Sequence, residues 1–320
     1  MAKTLVIALG GNAFLRKGQP KTVDHQWKNV MLAAKQIVDI YMKGYRIVVT
    51  HGNGPQVGMI MEWMESLKDR YPPLTMDIAT AMTQGWLGYM LMQSIGNELE
   101  SRGVDRKVVS IVNQVLVDKD DPAFSNPTKF IGGYYSREEA EMLSKEKGWI
   151  MKPDPRGGYR RVVPSPTPIR NIEREAITRL LEEEYIVIAS GGGGVPVVEE
   201  NGILRGVEAV IDKDLASSIL AQNISADGLV IATDVEGVYL DYGTSKQRII
   251  RRISVDELEK LYEEGLFPPG SMGPKVRACI EFVKRTGKWA VIGSLENLEE
   301  AITGDAGTYI YADRSGSSVP

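Results

Sequence analysis

Two segments of this chain place a lysine where an anion would stabilise it. Lys275 closes Gly270-Ser271-Met272-Gly273-Pro274-Lys275, with Pro274 set to open a helix over Val276–Arg285. A cation in a first helical turn opposes the macrodipole at a cost of a few tenths of a kcal/mol, and a bound phosphate would reverse that sign. Lys213 stands between two carboxylates in Ile211-Asp212-Lys213-Asp214, just ahead of the helical run Leu215–Ala221. One aspartate suits the role of helix cap, and the lysine between them also suits an ammonium aimed at phosphate. A third, Lys129 in Asn126-Pro127-Thr128-Lys129, reads on its own as an ordinary loop lysine.

Glycine clusters supply the other half of such a site. Three β-branched runs end in them: Leu5–Leu9 before Gly10-Gly11-Asn12, Ile47–Thr50 before His51-Gly52-Asn53-Gly54-Pro55, and Ile186–Ser190 before Gly191-Gly192-Gly193-Gly194. A strand followed by a glycine turn presents bare backbone N–H groups at the carboxyl edge of an α/β sheet, where anions bind. Such turns also serve as tight strand–helix joints. Four consecutive glycines lean away from that use, because each adds unfolded-state entropy. Thr233-Asp234-Val235-Glu236-Gly237-Val238-Tyr239 follows a further strand and suits contacts to a ribose and a base. Neither G-x-x-x-x-G-K-[ST] nor a strand followed by G-x-G-x-x-G occurs, which disfavours a P-loop enzyme and a dinucleotide oxidoreductase. An anionic acceptor beside a polyphosphate makes phosphoryl transfer the chemistry to test.

Composition narrows the alternatives. The 320 residues carry a formal net charge of −4 without a basic run, which argues against nucleic-acid or anionic-membrane partners. One cysteine, Cys279, rules out a disulfide framework and a thiolate metal cluster, and its helical position predicts a buried thiol. His25 and His51 are the only histidines, too few for a multi-histidine metal site. The first residues pass straight into a strand, without a signal segment or membrane span, so the chain reads as cytoplasmic.

The positioning elements follow from periodicity. Trp27, Val30, Met31, Ala34, Ile37, Val38 and Tyr41 mark one helix face ended by Gly44. Helices are predicted from about 56 to 70 and 76 to 102, separated by Tyr71-Pro72-Pro73. Strands are predicted at 45–50, 107–117, 185–190, 228–233 and 289–293 besides the first. Strands alternating with helices imply a mainly parallel sheet covered on both faces. Asn201-Gly202 predicts a hairpin between Val195–Glu199 and Ile203–Val207. Residues 118–170 hold seven of the sixteen prolines and one clear helix, near Ser136–Lys147, which reads as an inserted excursion or lid. The polar end from Ala312 reads as frayed, and the tail beyond Tyr309 is longer than expected.

Taken together, Ala8–Ala13, Thr50–Gly58, Gln84–Tyr89, Asp118–Lys129, Arg161–Pro166, Ala189–Pro196, Ala209–Leu215, Thr233–Tyr239 and Gly270–Lys275 resemble the amino acid kinase superfamily, and within it the carbamate kinases. The resemblance implies an open three-layer αβα sandwich with a mostly parallel central sheet, formed by 1–320 as one domain. It implies a small protruding lid subdomain at 118–168, an acceptor half, a nucleotide half and a homodimer. The implied reaction is ATP with carbamate giving ADP and carbamoyl phosphate, reversibly and with Mg²⁺. By resemblance, Lys129, Lys213 and Lys275 supply positive charge and Asp214 orients lysines. Gly10, Gly11, Asn12, Gly52 and Asn53 line the acceptor side. Asp234, Tyr239, Tyr242, Met272, Gly273, Pro274 and Lys275 surround the nucleotide. Asn12 stands where many relatives with other acceptors carry lysine or serine. Another carboxylate or phosphate acceptor, or a silent nucleotide-binding protein, is the competing expectation.

Overall fold

The strand Thr4–Leu9 lies inside an eight-stranded sheet and decides its two faces. Leu5, Ile7 and Leu9 point into one apolar cluster, with the helices Val23–Met42 and Met76–Ser101. Val6 and Ala8 point into the other, with the helices Arg174–Glu182, Lys213–Asn223, Val255–Glu263 and Met272–Thr286. Residues on both faces of this strand are fully buried, which is why it reads as a continuous apolar run rather than an alternating one. The result is a three-layer αβα sandwich. The computed structural model describes residues 2–15, 19–20, 22–154 and 157–312.

Across the sheet the strands run Arg252–Ser254, Thr308–Tyr311, Trp289–Ser294, Gly228–Thr233, Thr4–Leu9, Arg46–His51, Ile186–Ile188 and Val108–Ser110. Every neighbouring pair is parallel except Trp289–Ser294 with Thr308–Tyr311. The chain leaves Thr4–Leu9 toward one side of the sheet and returns to its other side at Gly228–Thr233. The carboxyl ends at this reversal form the crevice where open α/β sheets bind ligands.

Several expectations are corrected. The strand expected over 107–117 is two strands in different sheets, Val108–Ser110 and Gln114–Val117. Between them Asn113 leaves the sheet and its side chain receives the Ser190 N–H. The helix Met272–Thr286 starts four residues before the expected Val276, so Pro274 sits in its first turn rather than before it. Arg252–Ser254 at the sheet edge and Thr308–Tyr311 beside it are too short to show a period of their own. The second carries Tyr309 into the sheet, and the end from Asp313 lies outside the described residues.

The expected hairpin forms, with Val195–Glu200 paired antiparallel to Ile203–Gly206 in a separate four-stranded sheet with Gln114–Val117 and Pro168–Asn171. The proline-rich excursion is not loop around one helix. Lys129–Tyr135, Tyr159–Val163 and Met151–Pro153 make a three-stranded antiparallel sheet. The helix Arg137–Lys147 joins it, opened by the reciprocal Ser136–Glu139 capping box and closed by Gly148 in the left-handed region. Gly132-Gly133 and a shifted register interrupt the strand, which hid it from an alternation rule. No helix among the described residues is long and apolar enough to cross a membrane.

Candidate active site

Four helical N-termini open onto one cleft of about 430 Å³. They belong to the short turn Gly11–Ala13 and to the helices Gly54–Ser66, Lys213–Asn223 and Met272–Thr286. First-turn N–H groups have no helical acceptor, so their positive ends face a common volume. Gly10, Gly11, Gly52, Asn53 and Gly192 line it, with Lys129, Arg160, Asp212, Lys213, Asp214, Asp234 and Lys275. Gly52 brings its turn against the stem of Lys213: a β-carbon there would lie 3.8 Å from Lys213 Cγ.

Asp214 ties the cations together. Lys275 Nζ donates to its Oδ2 at 2.8 Å. Lys213 Nζ lies 2.6 Å from its Oδ1. That second contact lacks hydrogen-bond geometry, and neither Lys213 Nζ nor Asp214 Oδ1 has a hydrogen-bond partner among the described residues. Lys213 is therefore held by its ion pair with Asp214, with no other described residue taking its N–H groups. Of the two aspartates flanking it, Asp212 is the helix cap, accepting from the N–H groups of Asp214 and Leu215. Its other oxygen accepts from Lys129 Nζ at 2.6 Å, which joins the inserted sheet to the cleft floor.

Burial and charge act against each other here. Burial drives the Lys213 ammonium down to about 8; Asp214 pulls it up, too weakly to compensate, and Lys275 repels it. Lys275 is equally desolvated, but Asp214, Asp212 and Asp234 outweigh that and raise its pKa. Burial would raise the Asp214 carboxyl, yet Lys213 and Lys275 hold it below the usual carboxylate range. Burial also pushes the His51 imidazole down to about 4, so it is neutral at ordinary pH. Its Nδ1 lies 3.1 Å from Gly52 O, and it packs edge-on against Phe14. His51 braces the turn.

The four-glycine turn has a different physical reason from the expected one. A β-carbon on Gly191 would fall 2.5 Å from His51 Nε2, on Gly192 2.2 Å from Asn53 Nδ2, on Gly193 2.4 Å from Ile211 O and on Gly194 2.3 Å from Val115 Cγ2. Close packing requires all four, and only Gly192 reaches the cleft. A buried polar network steadies this turn. Gln84 Nε2 donates to the carbonyls of Asn113 and Gly191, and Asn171 Nδ2 donates to Ser190 Oγ at 3.0 Å. Ser190 itself stands in the left-handed region at φ 49°. Neither this network nor Arg160 was visible in the sequence, because nothing local distinguishes a glutamine, asparagine or arginine that acts across 19 or more residues.

The remaining expected residues separate into two groups. Pro274 and Lys275 line the cleft with Gly270 and Ser271, whereas Met272 and Gly273 do not. Tyr239 and Tyr242 also lie off the cleft wall, their rings 5.8 Å apart, with Tyr242 66% exposed. Asn12 sits in the Gly11–Ala13 turn, and its side chain lies outside the described residues. Cys279 is fully buried, as expected. Among the described residues no group of three or more His, Cys, Asp or Glu side chains could hold a metal ion.

The carbamate kinase of Pyrococcus horikoshii is 54% identical over 312 residues, spanning 97% of this chain and 99% of that one. The carbamate kinase of Clostridium perfringens is 44% identical over 310 residues, spanning 96% and 99%. The solved carbamate kinase from Giardia lamblia bound to AMP-PNP superposes with a TM-score of 0.91 at 42% identity, covering 98% of this chain and 99% of that one. A UMP kinase from Bacillus anthracis, 15% identical with a TM-score of 0.52 and covering 98% and 97%, shares the fold. Residues 3–294 match the amino acid kinase family. The chain belongs to that family.

Proposed function

We propose that the chain is a carbamate kinase, transferring the γ-phosphoryl group of MgATP to carbamate and, in reverse, the single phosphoryl group of carbamoyl phosphate to ADP. The observation that carries this reading is Asp214 holding two buried ammonium groups beside converging helix N-termini. The relatives named carbamate kinase support the acceptor.

In the forward direction a carbamate oxygen forms a bond to the γ-phosphorus while the bond to the β–γ bridging oxygen breaks. ADP takes the released electron pair. Carbamate is already an anion, so no general base is needed, which agrees with a neutral His51 held outside the cleft. The requirement is alignment of two anions and neutralisation of charge on the moving group. Lys213 and Lys275 meet that charge, Asp214 holds them together and oriented, and the backbone of Gly10, Gly11, Gly52 and Asn53 binds the acceptor. Asn53 is fixed for this by its bond to Thr83 Oγ1 at 2.8 Å. Asp234, Ser271 and Pro274 face the nucleotide, with Tyr239 and Tyr242 beyond the cleft rim near its base. Magnesium enters as part of the nucleotide, held by phosphate oxygens.

Lys129 reaches the cleft from the inserted 118–168 unit, which acts as a lid that excludes water on closing. The long helix Met76–Ser101 leaves Ile78, Met82 and Tyr89 exposed along one face. We assign that face to a homodimer, which sedimentation equilibrium checks, and we place the enzyme in the cytoplasm. The deciding assay follows ATP formation from ADP and carbamoyl phosphate. Turnover with carbamoyl phosphate and none with acylated amino-acid phosphates supports the reading; nucleotide binding with no turnover contradicts it.

A further inference from the structure

One peptide unit in the inserted sheet is gripped by opposite charges from two directions. The carbonyl of Gly132 accepts from Arg160 Nη2 at 3.0 Å and Nε at 3.3 Å. The N–H of Gly133, the other end of the same peptide, donates to Glu62 Oε1 at 2.9 Å. Tyr135 Oη donates to that Oε1 at 3.3 Å. Glu62 belongs to the helix Gly54–Ser66, whose first residues line the cleft, but does not line the cleft itself. One turn earlier on the same face, Gly58 lets the strand approach: a β-carbon there would fall 2.4 Å from Gly132 Cα. Glycine is also what the strand needs, because Gly132 has φ 70° and β-carbons on Gly132 and Gly133 would lie 3.3 and 3.2 Å from Glu62 Oε1. Lys129, Phe130 and Ile131, immediately before the gripped peptide, and Arg160 all line the cleft.

We infer that Glu62 is a positioning residue that fixes the Gly132–Gly133 peptide and thereby the place of Lys129 and Arg160 at the transferred group. This rests on the phosphoryl-transfer reading above. A helix beginning at the acceptor turn holds the inserted strand at Glu62, beside the packing of Ile131 with Val57 and Ile60, so the Gly132–Gly133 peptide keeps its place relative to that turn. A carboxylate–peptide bond of this kind is charge-assisted and strong for its length. The conservative amide can still accept from Gly133 N–H, whereas alanine cannot.

The test measures kcat and KM for ADP phosphorylation by carbamoyl phosphate in the full-length chain, with Tm recorded for every variant. Expected is a loss of about tenfold in kcat/KM for Glu62→Ala, recovered to within about threefold of wild type in Glu62→Gln. Expected too is non-additivity: Glu62→Ala added to Lys129→Ala costs clearly less than the roughly tenfold it costs alone, because part of its effect passes through that lysine and the rest through Arg160. If Glu62→Ala does not fold, Glu62→Asp, which keeps the charge but draws the carboxylate back by one methylene, is expected to give the loss and the non-additivity in its place. Wild-type activity in Glu62→Ala, or losses that multiply with those of Lys129→Ala, overturns the inference. An inert wild-type protein overturns the phosphoryl-transfer reading instead, which separates the two failures.

Discussion

Removing the ammonium of Lys213 or Lys275 takes positive charge from a buried part of the cleft. Both side chains are mostly buried, at 12% and 16% exposed, and both lie against Asp214. Lys213→Ala or Lys275→Ala is expected to lower kcat about 100-fold or more while Tm stays near wild type. Unchanged kcat in both would contradict the assignment. Lys129, 33% exposed and paired with Asp212, is expected to give a smaller loss. The Lys213 ammonium also sets a pH limit. Burial brings its pKa from 10.5 to about 8, so kcat/KM is expected to fall as pH rises through about 8, when the charge is lost. The limb in kcat lies higher, because bound phosphate favours the ammonium. Stability moves the other way. The unfolded chain binds more protons between about 8 and 10.5, so this residue's contribution to stability rises with pH there. A kcat/KM profile flat to pH 10 would count against the role.

The glycine turns are an element-scale matter, and two substitutions separate their uses. Gly11 lines the cleft, and a β-carbon on it meets nothing within 4 Å. Gly11→Ala is expected to keep stability within about 0.5 kcal/mol of wild type and to lower kcat/KM. Gly193 has φ 94° and would collide with the carbonyl of Ile211. Gly193→Ala is expected to cost about 1–3 kcal/mol in urea denaturation. Equal stability for the two variants would show that packing does not explain the four-glycine run. The location of these turns was legible, because a buried parallel strand ending in glycine is a local pattern. Their individual reasons were not. The neighbours of Gly191–Gly194 come from His51, Asn53, Val115 and Ile211, which only the folded sheet brings together. The same limit explains Lys275, whose place in a helical turn was legible while its partner Asp214, 61 residues away, was not fixed by spacing.

At the scale of the whole molecule, the layered sheet was legible because odd and even residues of each central strand are alike apolar. The inserted sheet was not, since Gly132-Gly133 and the arginines of Tyr159–Val163 break any alternation. Its links to the body include Lys129–Asp212, the Glu62 contact, the Lys147–Glu65 ion pair and the packing of Ile131 and Val163 with Val57 and Ile60. Saturating ADP with carbamoyl phosphate is therefore expected to slow amide exchange across 129–163 more than in the Val23–Met42 helix. Equal change in both would argue against a lid.

The most direct measurement is a crystal structure of the protein with ADP bound. The ammonium groups of Lys213 and Lys275 are predicted within hydrogen-bonding distance of the β-phosphate or of the space beyond it toward Gly10–Gly11 and Gly52. Phosphates lying elsewhere, with both lysines still turned only to Asp214, would contradict the account.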